Sequence, residues 1–442
     1  MTRDLPARAV TAPELLAPRR ADRSGATGEP DAIVIAQSTE EVQDVLRWAH
    51  ARGVPVVPRG AGTGLAGGAV PVGGIVLDLS ALNAIERIDP VDQIAEVQAG
   101  VVTADLDHAA AAYGLLYTPD PASAEISTIG GNIATNAGGM HCVKYGVTRD
   151  AVLGLDVVLA DGRRIRTGRR TAKGVAGLDL TSLLVGSEGT LGVVIGATLR
   201  LLPRPERVAT LAAMFPTVRA AADACVELTR RRVRPSLLEL LDAATLGVID
   251  RVQGGTLSHD GGALVIAQVD GPGSAAQIEA VEAAFTPAAV WVRTAGDPAT
   301  AESLLAARRL ALPSIEAEGK AVIEDICVPR SRLADAVVRI EGIAQDHGVG
   351  IYTFAHAGDG NLHPIITYDR ESAEPPASVT AAAEEIFALA LELGGTVTGE
   401  HGVGLLKREW LAREVGADVL ELYRAVKQAF DPRAILNPGK GF

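Results

Sequence analysis

Three of the eight histidines of this chain fall in two short glycine-rich blocks. The first block reads HAGDGNLH and begins and ends with His356 and His363, and the second reads GEHG and contains Glu400 and His401. Two imidazoles and a carboxylate are a common ligand set for a divalent transition metal that keeps open positions. His356, His363 and Glu400 are therefore candidate metal ligands, and His401 is a candidate general base. The alternative is that both blocks are polar loops whose histidines only form hydrogen bonds.

Two glycine-rich segments in the N-terminal half are candidates for binding an anionic, flat cofactor. The first spans residues 58–68, and the second, STIGGNIATNAGG, spans residues 127–139. Successive backbone N–H groups in such loops form a concave anion site, and Arg59 can offset the charge of a pyrophosphate. The side chains of the second segment that can bond the edge of a heterocycle are Asn132, Thr135 and Asn136. The alternative is a pair of flexible surface loops.

The first segment also contains GTGLAG at residues 62–67, which matches the spacing of a dinucleotide fingerprint. That fingerprint requires a strand before it and a helix that opens at it. A strand is predicted at 54–57, but a second strand, at 74–79, comes next instead of a helix. The context therefore disfavours a Rossmann domain.

Length and composition limit the remaining possibilities. A chain of 442 residues is expected to form two domains, and its net charge of −13 gives no general attraction for nucleic acid or anionic lipid. An anionic substrate must therefore be held by local cations. Three separated cysteines without a CxxC pair disfavour disulfides and Fe–S clusters and fit a reducing cytoplasm. No apolar stretch is typical of a signal peptide or a membrane span.

The elements that must position these residues can be read from periodicity and chain breakers. Ser38 has capping-box spacing with Glu41 and begins a predicted helix that Gly53 ends. Asp161-Gly162 between the predicted strands 155–160 and 163–167 predicts a β-hairpin. Prolines at 203 and 205 mark a domain boundary, and beyond them strands and helices alternate. This pattern predicts an α+β cap domain built around a few short sheets rather than a barrel.

From about residue 30 onward, seven motifs resemble the FAD-dependent D-2-hydroxyacid dehydrogenases of the vanillyl-alcohol oxidase superfamily, which include glycolate oxidase FAD subunits and flavin D-lactate dehydrogenases. The motifs are PRGAGTG at 58–64, PDP at 119–121, TIGGN at 128–132, SEGTLG at 187–192, HAGDGNLH at 356–363, GEHG at 399–402 and LNPGK at 436–440. The resemblance implies an α+β fold, with a two-lobed FAD-binding domain of the PCMH type and a cap domain with an antiparallel sheet. With it, the expected division is a lead-in at 1–28, the FAD-binding domain at 29–204, the substrate and metal domain at 205–400, and a segment at 401–442 that returns to the FAD-binding domain.

The resemblance also implies the roles of individual residues. It places the divalent metal, Zn, Mn or Fe, on His356, His363 and Glu400, makes His401 the base, and aligns Arg308 with an arginine that grips the substrate carboxylate. A solvated helix charge is the alternative for Arg308. The FAD-binding residues that it implies are Arg59, Gly60, Ala61, Gly62, Thr63, Gly64, Gly67, Gly68, Pro119, Asp120, Ser123, Thr128, Gly131, Asn132, Thr135, Asn136, Gly138, Glu188, Gly189, Gly192, Val193 and Asn437. Because residues 58–68 contain no His, Tyr or Cys, the FAD is expected to be non-covalent.

The implied reaction is oxidation of a small, lactate- or glycolate-like D-2-hydroxy acid to the 2-oxo acid, with hydride transfer to flavin N5. Relatives that act on hydroxyglutarate carry polar groups for its distal carboxylate where this chain has Ile365 and Ile323, and Leu305 replaces a frequent tryptophan. These departures disfavour hydroxyglutarate. Because the chain has no cysteine cluster, a quinone, a carrier flavoprotein or a partner subunit is expected to reoxidise the flavin, and a homodimer is compatible with the sequence.

Two functions of other classes stay open. A metal-dependent hydrolase explains the histidine blocks but leaves the N-terminal half without a role. A flavin subunit of an electron-transfer complex, without catalysis of its own, explains the N-terminal half but not the histidines.

Overall fold

The structure, a computed structural model, describes residue 6 and residues 8–442; residues 1–5 and 7 of the predicted lead-in lie outside the described part. The chain forms two compact units. The N-terminal unit comprises the residues up to Gly139 together with Gly146–Arg204 and Glu400–Phe442. The C-terminal unit comprises Met140–Tyr145 and Pro205–Gly399.

The strands are β1 Ala32–Ile35, β2 Val56–Arg59, β3 Ile75–Asp78, β4 Ile85–Asp89, β5 Ile94–Gln98, β6 Leu115–Leu116, β7 Val152–Val158, β8 Arg164–Gly168, β9 Val193–Arg200, β10 Leu202–Pro203, β11 Val208–Phe215, β12 Leu237–Asp242, β13 Ala263–Asp270, β14 Trp291–Thr294, β15 Lys320–Ile323, β16 Ile326–Cys327, β17 Gly350–His356 and β18 Asn361–Tyr368. The α-helices are α1 Pro13–Leu16, α2 Thr39–Arg52, α3 Thr103–Ala111, α4 Ile129–Thr135, α5 Cys142–Tyr145, α6 Thr148–Ala151, α7 Leu180–Leu184, α8 Val218–Arg230, α9 Ala243–Gln253, α10 Ser274–Phe285, α11 Pro298–Glu318, α12 Leu333–His347, α13 Ala377–Glu392, α14 Arg408–Val415 and α15 Ala417–Phe430. None of the described helices is both long and apolar enough to cross a membrane.

A small parallel sheet begins the N-terminal unit, in the order β1-β3-β2. Helix α2 packs its buried apolar residues on this sheet and is capped as predicted, because the Ser38 side chain accepts a hydrogen bond from the Glu41 N–H. After β2, residues 60–74, all of them described, form turns and extended chain and no helix. The predicted mismatch with a dinucleotide-binding domain is thus confirmed.

A five-stranded antiparallel sheet, in the order β4-β5-β9-β7-β8, completes the N-terminal unit. The predicted hairpin at Asp161-Gly162 is confirmed as β7 and β8. The expectation of a loop at 127–139 is wrong for its centre, because residues 129–135 form α4. Thr128 caps this helix, and Ile129 and Ile133 bury its apolar side in the core above the sheet. Burial of these two branched side chains compensates for the helix-weakening glycines.

The C-terminal unit is built on one antiparallel sheet, in the order β14-β11-β13-β12-β17-β18-β15, with β16 paired to β18. The prediction of a few short sheets is therefore wrong, whereas the antiparallel sheet that the resemblance implies is present. Pairings between strands distant in sequence, such as β12 with β17, join the short strands into one sheet. Helices α9 and α11 pack against each other and supply an apolar core on this sheet.

The first histidine block is a hairpin rather than a loop. His356 is the last residue of β17, residues 357–360 form the turn, and His363 lies within β18. The register pairs His356 with Asn361 and Phe354 with His363. The ladder therefore fixes both imidazole-bearing positions on rigid backbone.

Candidate active site and cofactor-binding segments

Three segments expected to bind FAD converge within the N-terminal unit. A Cβ at Gly60 would lie 2.3 Å from Thr128 Oγ1, so the first glycine-rich segment runs directly against the cap of α4. The Glu188 N–H donates to the Ala134 carbonyl at 2.8 Å, which brings the segment between α7 and β9 to the same helix. The expected FAD residues that these three segments carry are Arg59, Gly60, Ala61, Gly62, Thr63, Gly64, Gly67 and Gly68 from the first, Thr128, Gly131, Asn132, Thr135, Asn136 and Gly138 from the second, and Glu188, Gly189, Gly192 and Val193 from the third. Pro119, Asp120 and Ser123 lie in the stretch that leads from β6 into α4.

The polar side chains of α4 and of the residue after it form hydrogen bonds within the N-terminal unit. Asn132 donates from Nδ2 to Thr103 Oγ1 at 2.7 Å, Thr135 donates to the Gly131 carbonyl, and the Asn136 side chain accepts from the Arg149 N–H. These bonds position the helix. Backbone groups are therefore the better-placed contacts for a cofactor at this helix.

Arg59 is likewise engaged by the protein. It is 7% exposed, and its guanidinium donates to the carbonyls of Ala69 and Pro18, each at 3.3 Å. Burial lowers the pKa of this guanidinium, an effect that the carboxylates of Asp22 and Asp78 oppose. Two of the donors of Arg59 thus hold the glycine-rich segment and the lead-in together, and its positive charge lies beside that segment.

Glu188 holds the loop that comes after His401. Its backbone is left-handed at φ 52°, and its buried carboxylate accepts the N–H groups of Val403 and Gly404 at 2.7 and 2.8 Å. A Cβ at Gly404 would lie 1.9 Å from the Ala66 carbonyl oxygen, so only glycine allows this approach. Burial raises the pKa of Glu188, while the two N–H bonds act against that rise. A residue expected to contact the cofactor therefore also fixes the backbone beside the proposed base.

The end of the chain packs against the same region of the N-terminal unit. Asn437 is 1% exposed and donates from Nδ2 to the carbonyls of Gly68 and Glu188 at 2.8 and 2.7 Å. Lys440 is 2% exposed. The sequence predicts no role for this lysine beyond its place in the motif LNPGK. A lysine three residues after a buried asparagine in a proline–glycine turn carries no pattern that predicts burial.

In the C-terminal unit, the two histidines of the hairpin face each other. Their ring centroids lie 5.1 Å apart at an interplanar angle of 83°. The His356 Nδ1 is 2.6 Å from Oε1 of Glu239, a fully buried residue of β12. A carboxylate on one ring nitrogen sets the tautomer and leaves the other nitrogen to bind a metal. No sequence motif points to Glu239, because its role depends on the pairing of β12 with β17.

Arg308 shares the same carboxylate. Its Nε donates to Glu239 Oε2 at 2.5 Å, its side chain is 13% exposed, and its guanidinium lies 4.1 Å from the centre of the Phe354 ring. The bond through Nε leaves the terminal nitrogens of the fork available to a carboxylate ligand. Although burial opposes it, His356 and Arg308 hold the pKa of Glu239 below its ordinary value. Because Arg308 is largely buried and paired with Glu239, it is not a solvated charge on a helix surface.

The second histidine block begins where the C-terminal unit ends. The fully buried Asp325 accepts the Gly399 N–H at 2.9 Å and lies 4.0 Å from His363 Nδ1. Glu400, the third candidate ligand, comes directly after Gly399 and is the first residue of the last stretch of the N-terminal unit. The donor set of imidazoles and carboxylates fits a divalent transition metal.

Two apolar residues, Ile323 and Ile365, stand where the clamp for a second carboxylate is polar, and Leu305 stands where a tryptophan is frequent. Ile323 and Ile365 are paired across β15 and β18, and both pack with Leu305 of α11 in the core on this sheet. Ile365 is fully buried. These positions therefore offer no polar contact to a substrate.

Comparisons with known proteins agree with this architecture. Residues 30–168 match the family model of an FAD binding domain, and residues 204–441 match that of the C-terminal domain of FAD linked oxidases. The chain is 45% identical over 418 residues to a glycolate oxidase subunit, GlcD, of Bacillus subtilis (strain 168), covering 93% of this chain and 89% of that protein. It is 38% identical over 432 residues to a D-lactate dehydrogenase of Archaeoglobus fulgidus, covering 97% and 93%.

Solved structures show the same fold. That of p-cresol methylhydroxylase with substrate bound superposes with a TM-score of 0.80 at 19% identity, covering 98% of this chain and 93% of that chain. That of 4-ethylphenol oxidase from Gulosibacter chungangensis gives a TM-score of 0.79 at 19% identity, covering 98% and 94%. The chain belongs to the FAD-linked oxidases and is an FAD-dependent oxidoreductase.

Proposed function

We propose that this protein oxidises a small D-2-hydroxy acid, of the size of lactate or glycolate, to the 2-oxo acid. The observation that carries the proposal is the pair of facing histidines, one of them held by Glu239, which also binds Arg308. Relatives named as a glycolate oxidase subunit and as D-lactate dehydrogenases support the same substrate class.

The reaction removes two hydrogens from the substrate. When bound, FAD supplies the two-electron acceptor and the divalent metal supplies a Lewis acid for the hydroxyl and carboxylate oxygens. His356, His363 and Glu400 would hold the metal, and the Glu239 carboxylate on Nδ1 of His356 would direct the Nε2 of that ring toward it.

His401 takes the hydroxyl proton. An imidazole with a pKa near ~6.5 is matched to proton transfer at neutral pH. With the hydroxyl proton on His401, the Cα hydrogen would leave with its electron pair, for which bound FAD would be the acceptor, and the product would be the 2-oxo acid. The terminal nitrogens of Arg308 bind the substrate carboxylate. Arg308 is thus the local cation that an acidic chain requires for an anionic substrate.

The size limit on the substrate comes from the apolar positions. Ile323, Ile365 and Leu305 pack into the core and provide no partner for a second carboxylate. A buried, unpaired carboxylate is strongly disfavoured, so monocarboxylic 2-hydroxy acids are the preferred class. A quinone, a carrier flavoprotein or a partner subunit then takes the electrons from the reduced flavin.

Anaerobic mixing of the metal-loaded holoprotein with a panel of D- and L-2-hydroxy acids tests the proposal. We expect D-lactate or glycolate to bleach the visible flavin absorbance. D-2-hydroxyglutarate and the L-enantiomers of the chiral acids should reduce the flavin at least tenfold more slowly. A yellow protein that no member of the panel bleaches would instead support the subunit without catalysis of its own.

The Glu239→Gln variant is expected to bind the metal about 10- to 100-fold more weakly, since partners behind a metal-binding histidine have effects of this size. The amide keeps the shape of the side chain but lacks the charge that orients His356 and Arg308. Competition against a chelator of known affinity measures the change. Glu227→Gln, at a half-buried residue of α8 whose carboxylate pairs with surface arginines, is the matched control. If both variants bind the metal with the same affinity, Glu239 does not position His356 for metal binding.

The FAD is expected to be non-covalent, because residues 58–68 offer no nucleophilic or ring nitrogen anchor. Acid precipitation should release all of the flavin into the supernatant, where its absorbance is quantified against the protein. Yellow colour that stays with the pellet after washing would contradict this expectation.

A further inference from the structure

Lys440 is a buried cation of the N-terminal unit. It is 2% exposed, and among the described residues its Nζ has no hydrogen-bond partner. Desolvation by burial lowers the pKa of Lys440 to about 8, although the carboxylates of Asp22 and Glu188 act against this. An ammonium group without a partner is costly to bury, so such a group is maintained where it meets an anion.

The two neighbouring carboxylates are already used by the backbone. Asp22 accepts the Ser24 N–H and the Ala69 N–H at 3.0 and 3.2 Å. Glu188 accepts the N–H groups of Val403 and Gly404 through its two oxygens. Neither carboxylate forms a hydrogen bond with Lys440, so their fields favour its charged form without satisfying its donors.

The position of Lys440 is fixed beside the first glycine-rich segment. Asn437 is bonded to the Gly68 carbonyl, and the Gly441 N–H donates to the Gly404 carbonyl at 3.1 Å. The Leu405 N–H in turn donates to the Ala66 carbonyl at 2.7 Å. The residues on both sides of Lys440 are therefore tied, directly or through one neighbour, to residues 66–68.

Arg59 offers the first glycine-rich segment one positive charge, whereas a diphosphate carries two negative charges. The Arg59 guanidinium is bonded to the Ala69 and Pro18 carbonyls, which hold it within the loop. Backbone N–H groups can cradle phosphate oxygens, but two negative charges in a buried site require a counter-charge. Lys440 is a cation of the N-terminal unit that is buried, close to this segment and unsatisfied among the described residues.

We propose that Lys440 binds the diphosphate of FAD at the first glycine-rich segment, as a second cation besides Arg59. The inference rests on FAD binding and not on the substrate or the metal, so it can fail while the proposed oxidation stands. The part of FAD that Lys440 would recognise is the diphosphate of its nucleotide half. The competing interpretation is that Lys440 contacts the isoalloxazine ring.

The Lys440→Met variant separates these contacts. Titration of the deflavinated full-length protein should show FAD and ADP each bound about 10- to 100-fold more weakly than by the wild type, the effect of one charge-assisted hydrogen bond. Riboflavin, which lacks the diphosphate, should bind equally to both proteins. Lys173→Met, at an exposed lysine, is the matched control and should leave all three affinities unchanged. Equal weakening of riboflavin and FAD would place Lys440 on the flavin ring and overturn the proposal.

Two further measurements distinguish ligand binding from a structural role. Without FAD, Lys440→Met should melt at the same temperature as the wild type or higher, because it removes a buried charge. A lower melting temperature would show that Lys440 stabilises the fold.

The FAD affinity of the wild type should be full below a pH of about 8 and fall as the pH rises further, because only the protonated lysine attracts the diphosphate. The variant should lack this dependence. A wild type whose FAD affinity is flat across that range would contradict the assignment.

Discussion

The His401→Asn variant is expected to reduce its flavin roughly 10²- to 10⁴-fold more slowly than the wild type, while its metal and FAD contents stay the same. The hydroxyl proton of a 2-hydroxy acid is too weakly acidic to leave without a base, and asparagine fills the space of the imidazole without accepting that proton. Stopped-flow reduction with a saturating 2-hydroxy acid measures the loss. The limb of the wild-type pH profile that belongs to a group titrating near neutrality should be absent from the variant.

The control for this variant is His259→Asn, at a histidine of the C-terminal unit outside both histidine blocks. His401 is adjacent in sequence to the candidate ligand Glu400 and is itself an imidazole, which makes a ligand role the specific competing interpretation. If His401→Asn loses its metal and regains the wild-type rate when metal is resupplied, His401 is a ligand and the base is another residue.

Removal of the metal is expected to lower turnover by at least about 10³-fold while the flavin spectrum is unchanged. A Lewis acid on a reacting oxygen is worth several kcal/mol of transition-state stabilisation. The histidines lie on β17 and β18 of the C-terminal unit, whereas the segments expected to hold FAD belong to the N-terminal unit. The two sites should therefore be separable by chelation, with elemental analysis and flavin absorbance as the two readouts.

His363→Ala should reproduce the chelated state and resist rescue by added Zn, Mn or Fe. Wild-type protein stripped of metal should recover with at least one of these ions, and the ion that restores the rate identifies the functional metal. Full activity of a protein shown by elemental analysis to be metal-free would mean that the histidines only form a hydrogen-bonded pocket.

Local patterns predicted the elements whose stabilisation is local. The helix that begins after Ser38 and the hairpin at Asp161-Gly162 each carry their signal within a few residues, as a cap or a turn. The departure from a dinucleotide-binding fold was also readable, because it depends only on the short stretch of chain after residue 67. The glycine-rich helix α4 was missed because its stability comes from Ile129 and Ile133 in a distant core rather than from its own propensity.

Parts of the site that depend on tertiary pairing could not be read from the chain. Glu239 precedes His356 by 117 residues and meets it only because β12 pairs with β17. The bonds of Arg59 to the Ala69 and Pro18 carbonyls could not be predicted for the same reason, and its part in pyrophosphate binding stays a prediction. Strand β18 was not predicted because its glycine-rich approach and Pro364 resemble a loop, although the register with β17 accommodates them.

The most direct test of the proposed oxidation is a single anaerobic turnover of the FAD- and metal-loaded protein with D-lactate or glycolate. We predict that the visible flavin absorbance disappears, that one equivalent of 2-oxo acid forms per flavin reduced, and that deuterium at Cα slows the reduction. If the flavin keeps its absorbance and no 2-oxo acid forms with any 2-hydroxy acid of the panel, although FAD and metal are fully loaded, the protein is not a 2-hydroxyacid dehydrogenase.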